Sequence, residues 1–209
     1  MHIVADNLRL LAVSAFMALL AGCAFGTRQP TLIYPPAPES DATPVAHAAT
    51  MAASKNVEIT LNPFNDRRAD QKVVGTVRNG FGMRTADVIS TNQVDDWVTQ
   101  ALKTELQNNG YSVHITSGDD SSKAANAVVS GEVLKAFCDM YFNYNAEVSL
   151  LIKVSRDGKE ILNKNYTGEG SAGVVVSATE KSFGQSLALA LAAALKPFVV
   201  DLDKALSTP

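Results

Sequence analysis

Ala146-Glu147-Val148-Ser149-Leu150-Leu151-Ile152-Lys153-Val154 runs directly into Ser155-Arg156-Asp157-Gly158. Ala146, Val148, Leu150, Ile152 and Val154 fall on every second position, and Leu151 is the one apolar residue out of phase. A period of two puts one side of a strand in a core and the other in water. Asp157-Gly158 tolerates the positive φ of a two-residue turn, so Glu160 to Tyr166 is predicted to return antiparallel. A hairpin with one apolar face needs a second layer to cover it, and this decides the fold class.

Upstream of the hairpin, Ala127 to Phe137 reads as a further strand with Val129, Gly131 and Val133 on one face. Val57, Ile59 and Leu61 alternate until Asn62-Pro63 stops them. Val73 to Val77 reads as strand, Asn79-Gly80 and Gly82 mark a turn, and Arg84 to Ile89 returns. Tyr111 to Ile115 is a short strand, and Gly118 to Lys123 is loop by composition. Gly168, Gly170 and Gly173 predict a bent or bulged sheet edge after the last strand.

Two amphipathic helices supply the cover. Ser90-Thr91-Asn92-Gln93 has the form of a capping box, and Val94, Trp97, Val98, Ala101, Leu102 and Leu106 then make one apolar stripe. Asn109-Gly110 ends that helix. The second runs from about Thr179 to Leu206, with Phe183, Leu187, Leu191, Leu195, Phe198 and Leu202 in its stripe. Pro197 lies inside it and predicts a kink or a split. The apolar run from Leu187 to Leu195 is too short to cross a bilayer, and Lys196 closes it. The expected fold is α+β, a two-layer sandwich of a mainly antiparallel sheet with two long helices packed on one face.

The N-terminus carries a signal of another kind. Residues 10 to 20 form an apolar run of secretory length, and Leu20-Ala21-Gly22-Cys23 at its end resembles the lipobox of bacterial lipoproteins. The resemblance implies cleavage between Gly22 and Cys23, a diacylglyceryl thioether on the Cys23 sulfur and an acyl chain on the new amine. Several chains at about 0.8 kcal/mol per buried methylene would make that anchor permanent. The other reading is an ordinary secretory signal with a chance cysteine. Ala24 in place of Asp implies, by the same resemblance, the outer membrane and its periplasmic face.

The expected organisation is a cleaved signal over 1–22, a lipidated Ala/Pro-rich tether over 23–55, and a periplasmic domain over 56–209. Tyr34-Pro35-Pro36-Ala37-Pro38 and Pro44 show the tether's composition. A flexible chain of that length would hold the domain roughly 30 Å from the membrane.

Composition excludes some functions. Removing residues 1–22 costs one Arg and one Asp, so the net charge stays at −3, with no basic excess for nucleic acid. Of three histidines only His114 lies in the domain, and no H-E-x-x-H, G-x-S-x-G or Cys/His ligand spacing occurs. The expectation is a non-enzyme with no cofactor beyond the covalent lipid. Cys138, with no partner once Cys23 is lipidated, reads as a small buried residue.

Two features stand as partner-binding candidates. Asp66-Arg67-Arg68 with Asp70 reads either as a loop contacting a partner or an anionic headgroup, or as a local ion pair that fixes the loop. Phe81 and Met83 flank Gly82 and read as an exposed binding edge or as core residues of an irregular strand.

With these residues in place the chain resembles the YajG family of uncharacterised bacterial lipoproteins. The resemblance rests on the lipobox, the strand leading into Asp66-Arg67-Arg68-Ala69-Asp70-Gln71, the helix end from Val98 to Gly110-Tyr111, and the Asp157-Gly158 hairpin with Tyr166 and Gly168 before a final helix. It implies a domain anchored to the outer membrane and transfers no active site. Two functions follow as expectations: an interaction module for another envelope protein, or an accessory lipoprotein of an ABC-type lipid export system holding an acyl chain between helices and sheet.

Overall fold

The structure, a computed structural model, describes residues 26–34, 57–116, 127–173 and 178–207. In chain order its elements are β1 (Glu58–Leu61), β2 (Asn65–Asp66), β3 (Val73–Arg78), β4 (Arg84–Ile89), α1 (Val94–Asn108), β5 (Ser112–Ile115), β6 (Ala127–Met140), β7 (Tyr144–Arg156), β8 (Lys159–Gly170) and α2 (Glu180–Ser207). Gly22 and Cys23 of the expected signal, the expected 118–123 loop and most of the expected 23–55 tether lie outside the described residues.

β6 is the spine of an eight-stranded sheet. Along one edge it pairs antiparallel with β7, and β7 with β8. Along the other edge β1, β2 and β3 pair with it in succession, all parallel, at Leu61↔Val129, Asn65↔Glu132 and Thr76↔Asp139. β5 then adds parallel to β1, and β4 antiparallel to β3. The mainly antiparallel sheet expected from sequence is therefore a mixed, forked sheet, antiparallel from β6 through β8 and parallel where β1, β2 and β3 join β6. The plain sandwich with two long helices is corrected too. α2 has 28 residues but α1 only 15, ended where Gly110 takes φ +86.

One face of the sheet is apolar throughout. Val129, Val133, Ala136, Cys138 and Met140 of β6 stand beside Val154, Leu150, Val148, Ala146 and Tyr144 of β7, all buried. A bulge between Val133 and Lys135 restores the phase after Leu134 and Lys135 both point out. α2 covers this face with Phe183, Leu187, Leu191, Leu195 and Phe198, each fully buried and worth about 1.5–3 kcal/mol. Tyr144 and Tyr166 meet Phe183 and Phe198 edge-on, with ring centroids 5.0 and 5.5 Å apart. α2 is long and apolar enough to cross a membrane by composition, yet its stripe is spent on this core.

Three local expectations are corrected. Gly168 and Gly170 put no bulge into β8, whose pairing with β7 keeps register up to its last residue, Gly170. They are small because α2 lies on them: a Cβ at Gly168 would sit 2.2 Å from the Ala190 carbonyl oxygen, and one at Gly170 2.4 Å from the Ala190 nitrogen. Pro197 does not split α2, since Phe198, Val199 and Leu202 carry the buried stripe past it. Ser90 and Gln93 form no capping box. Gln93 is the N-cap without a side-chain cap bond, and Ser90 Oγ instead donates to the Asn92 carbonyl.

The neighbouring cap residues are occupied by a segment expected to be tether. Leu32 N donates to Asn92 Oδ1 at 2.8 Å, Asn92 Nδ2 to the Leu32 carbonyl, and Thr91 N to the Pro30 carbonyl. Arg28 bridges Val88 in parallel, with Arg28 N donating to Asp87 and Ile89 N to Arg28. Leu32 is buried in the core, and Tyr34 Oη donates to Glu105 on α1. Over residues 26–34 the chain is thus a strap that covers the free edge of β4, the position where an unpaired strand invites foreign pairing.

Candidate functional site

β3 and β6 run parallel and end together, so the β3–β4 turn and the β6–β7 turn share one pole of the molecule. The N-terminus of α2 is at the same pole, because Thr179 N donates to Tyr144 Oη at 2.9 Å.

The first turn is built on Asn79. Its Oδ1 accepts from both Phe81 N and Met83 N at 3.0 Å, its carbonyl accepts from Gly82 N, and Gly82 supplies φ +80. That cradle leaves Phe81 89% and Met83 60% exposed, so the two side chains placed at a turn by sequence stand in solvent rather than in the core. The second turn brings Phe142, 63% exposed, with its ring centroid 4.0 Å from that of Tyr141. The turns are tied together. Tyr141 Oη donates to the Gly80 carbonyl at 3.0 Å, and Arg78 Nε donates to Asp139 at 2.7 Å while its Nη1 reaches the Gly82 carbonyl. Asp139, chiefly by that hydrogen bond, holds the Arg78 guanidinium still more firmly charged.

The Asp66–Asp70 loop is organised differently. Arg68 and Asp66 side chains are only 6% and 7% exposed and meet in a forked ion pair at 2.7 Å. The same guanidinium donates to the carbonyls of Val73, Ala136 and Gln71. Arg68 therefore fastens the loop to the bulged part of β6. Asp70 accepts from Lys72 N and Val73 N, and Arg67 is the outward member, 3.5 Å from Glu132.

Other titratable groups are tied into the scaffold. His114 stands 3.2 Å from Glu58 on the β5 side. Burial, then a hydrogen bond to Asp203, raises the Tyr111 phenol above its ordinary value, and burial with Asp201 does the same for Tyr166. Cys138 is buried, and burial pushes its thiol up to about 12. Among the described residues no cluster of three His, Cys, Asp or Glu side chains has the arrangement to hold a metal. A surface depression of about 680 Å³ on the outer sheet face is lined by Lys135, Phe137, Asp139, Glu147 and Glu169, too open and charged to enclose an apolar ligand.

Sequence reasoning marked Phe81 and Met83 but missed Phe142. Its signal was Tyr141-Phe142-Asn143 between two long strands, aromatic residues at a hairpin turn. Of the two readings open for Asp66-Arg67-Arg68, the local ion pair that fixes the loop is the one found for Asp66 and Arg68.

A family model described as an uncharacterised lipoprotein matches residues 44–205 of the chain. Among solved structures, a protein from Xanthomonas campestris aligns with a TM-score of 0.53 at 11% identity, over 86% of this chain and 98% of its own. A hypothetical protein from Chlamydia trachomatis aligns with a TM-score of 0.50 at 11% identity, over 76% of this chain and 100% of its own. At such identities the likeness is one of fold. No curated protein sequence matches the chain.

Proposed function

We propose a function from one premise: this chain belongs to the Lipoprotein_16 family of uncharacterised lipoproteins, the YajG type. In this reading it is a non-enzymatic envelope module, anchored through acylated Cys23 at the periplasmic face of the outer membrane, that binds another envelope protein.

The observation that carries the reading is the filled interior. Gly168 and Gly170 let the α2 backbone rest directly on β8, and the side chains of Phe183, Leu187, Leu191, Leu195 and Phe198 are fully buried against the sheet. An accessory subunit that took up an acyl chain between helix and sheet would need apolar space there. This weighs against the lipid-export alternative.

The test is crosslinking in intact cells followed by native mass spectrometry, on wild type and on Cys23→Ser. Wild type is expected to carry acylated Cys23, to fractionate with the outer membrane and to capture a defined protein without lipid in the folded domain. Lipid retained inside the Cys23→Ser domain would favour the export alternative, and an unacylated Cys23 in wild type would remove the anchor.

A further inference from the structure

We propose that the hairpin pole seats in the lipid leaflet that holds the anchor, with Phe81, Met83 and Phe142 among the headgroups and outermost acyl carbons. The inference rests on the lipoprotein reading and adds where the folded domain sits and which way it faces.

The strap supplies the orientation. β4 runs away from the pole, and the strap lies parallel to it, so Gly26 is the strap residue nearest the pole. Cys23 is three Cα–Cα steps before Gly26, a reach of about 11 Å at most. β6 alone, with 14 residues, is roughly 45 Å long, so an anchor so close to Gly26 cannot be served from the far end of the sheet. The Ala/Pro-rich stretch does not lengthen this reach. It joins Tyr34, bonded to Glu105, to Val57, whose carbonyl accepts from Ser112 N. Both points lie on the α1 and β5 side, after the strap has docked.

The chemistry of the pole suits an interface of lipid and water. Residues 79–83 and 140–146 contain no Asp, Glu, Lys or Arg. The charges on the flanking strands are paired, Arg78 with Asp139 and Arg84 with Asp87, and the start of α2 adds one carboxylate and one ammonium, Glu180, which accepts from Gln29 N, and Lys181. Tyr141 places a phenol beside the three apolar side chains, as aromatic residues do at headgroup depth. The Asn79 cradle and the Tyr141–Gly80 bond hold these side chains outward. Three side chains of at most about 250 Å² each fall short of the roughly 800 Å² that one partner of a stable protein interface presents. They suffice for a seat that a covalent anchor already holds at high effective concentration.

The test uses the full-length acylated protein carrying Phe81→Trp, reconstituted into vesicles of equal phosphatidylethanolamine and phosphatidylglycerol. One batch carries bromine high on the acyl chain, at the depth of about 5–10 Å reached by interfacial side chains. Trp97, 4% exposed, is a constant background. Phe81→Trp is expected to shift its emission to the blue on reconstitution and to lose most of it to bromine. Leu134→Trp, on the outer sheet face midway along β6, should do neither. Equal behaviour of the two variants, or a blue shift of Phe81→Trp that needs an added envelope protein or self-association in detergent, overturns the proposal. The intact mass separates the failures: acylated Cys23 with an unquenched Phe81→Trp overturns the seat alone, whereas unacylated Cys23 overturns the lipoprotein reading with it.

Discussion

One methyl group at Gly168 should act as a wedge between α2 and β8. Its Cβ would lie 2.2 Å from the Ala190 carbonyl oxygen, 2.3 Å from the Ala194 nitrogen and 2.8 Å from the Ala193 carbonyl carbon. All three are backbone atoms of a helix held along its length, so no side chain can swing aside. Restoring ordinary contact near 3.4 Å means moving the helix by just over 1 Å. A radial gap of that size forfeits about a quarter to a half of each dispersion contact along the stripe of Leu187, Leu191 and Leu195. Overpacking costs about 1–3 kcal/mol, and a rigid backbone obstacle puts Gly168→Ala at the upper end, near 3 kcal/mol. For a domain of this size that is about 6–12 °C in Tm. Gly80→Ala is the control, because nothing lies within 4 Å of a Cβ there. Urea unfolding of both variants of the mature protein, followed by circular dichroism, measures the difference. A Gly168→Ala midpoint that matches Gly80→Ala would refute the close approach, and with it the argument that no acyl chain fits between helix and sheet.

Arg68→Ala should cost about 3–5 kcal/mol in the same assay, because it leaves the Asp66 carboxylate buried without its partner and frees three carbonyls. Asp66→Asn combined with Arg68→Met should recover part of that loss, and a loss below about 1 kcal/mol for Arg68→Ala would show that the knot does not hold the loop. Cys138, whose thiol burial pushes up to about 12, is expected to resist a maleimide at pH 8 in the folded protein and to react fully in urea. Reaction at equal rates in both states would mean that β6 opens locally. Lys164, then Tyr166, hydrogen-bonds Asp201 and lowers its carboxyl below 3.8, so the folded value is the lower one. The stabilisation is complete above 3.8 and disappears as the pH falls through the folded value, by less than about 1 kcal/mol at this partly exposed surface pair. Asp201→Asn should therefore be less stable than wild type at pH 7 and converge on it near pH 2. A constant difference across that range would remove the pair as the cause.

Local pattern carried much of this protein. The period of two from Ala146 to Val154, the Asp157-Gly158 turn with φ +52 and +76, and the apolar stripe of α1 are properties of neighbours in the chain, and each appears where the sequence puts it. Leu20-Ala21-Gly22-Cys23 is equally local, since its resemblance to a lipobox rests on adjacent residues alone. Other features needed the fold. Nothing beside Gly168 says whether a glycine bends a strand or admits a helix, because the answer is the Ala190 backbone, distant in sequence. Nothing beside Asn92 says that it will bind Leu32 rather than cap a helix, since a docked strap outcompetes a local cap. Arg68 and Phe81 look alike as loop residues until the carbonyls of Val73 and Ala136 draw one inward and the Asn79 cradle turns the other out. Local periodicity determined the elements, and only long-range backbone contacts decided how the sheet forks, where residues 26–34 dock and which pole is exposed.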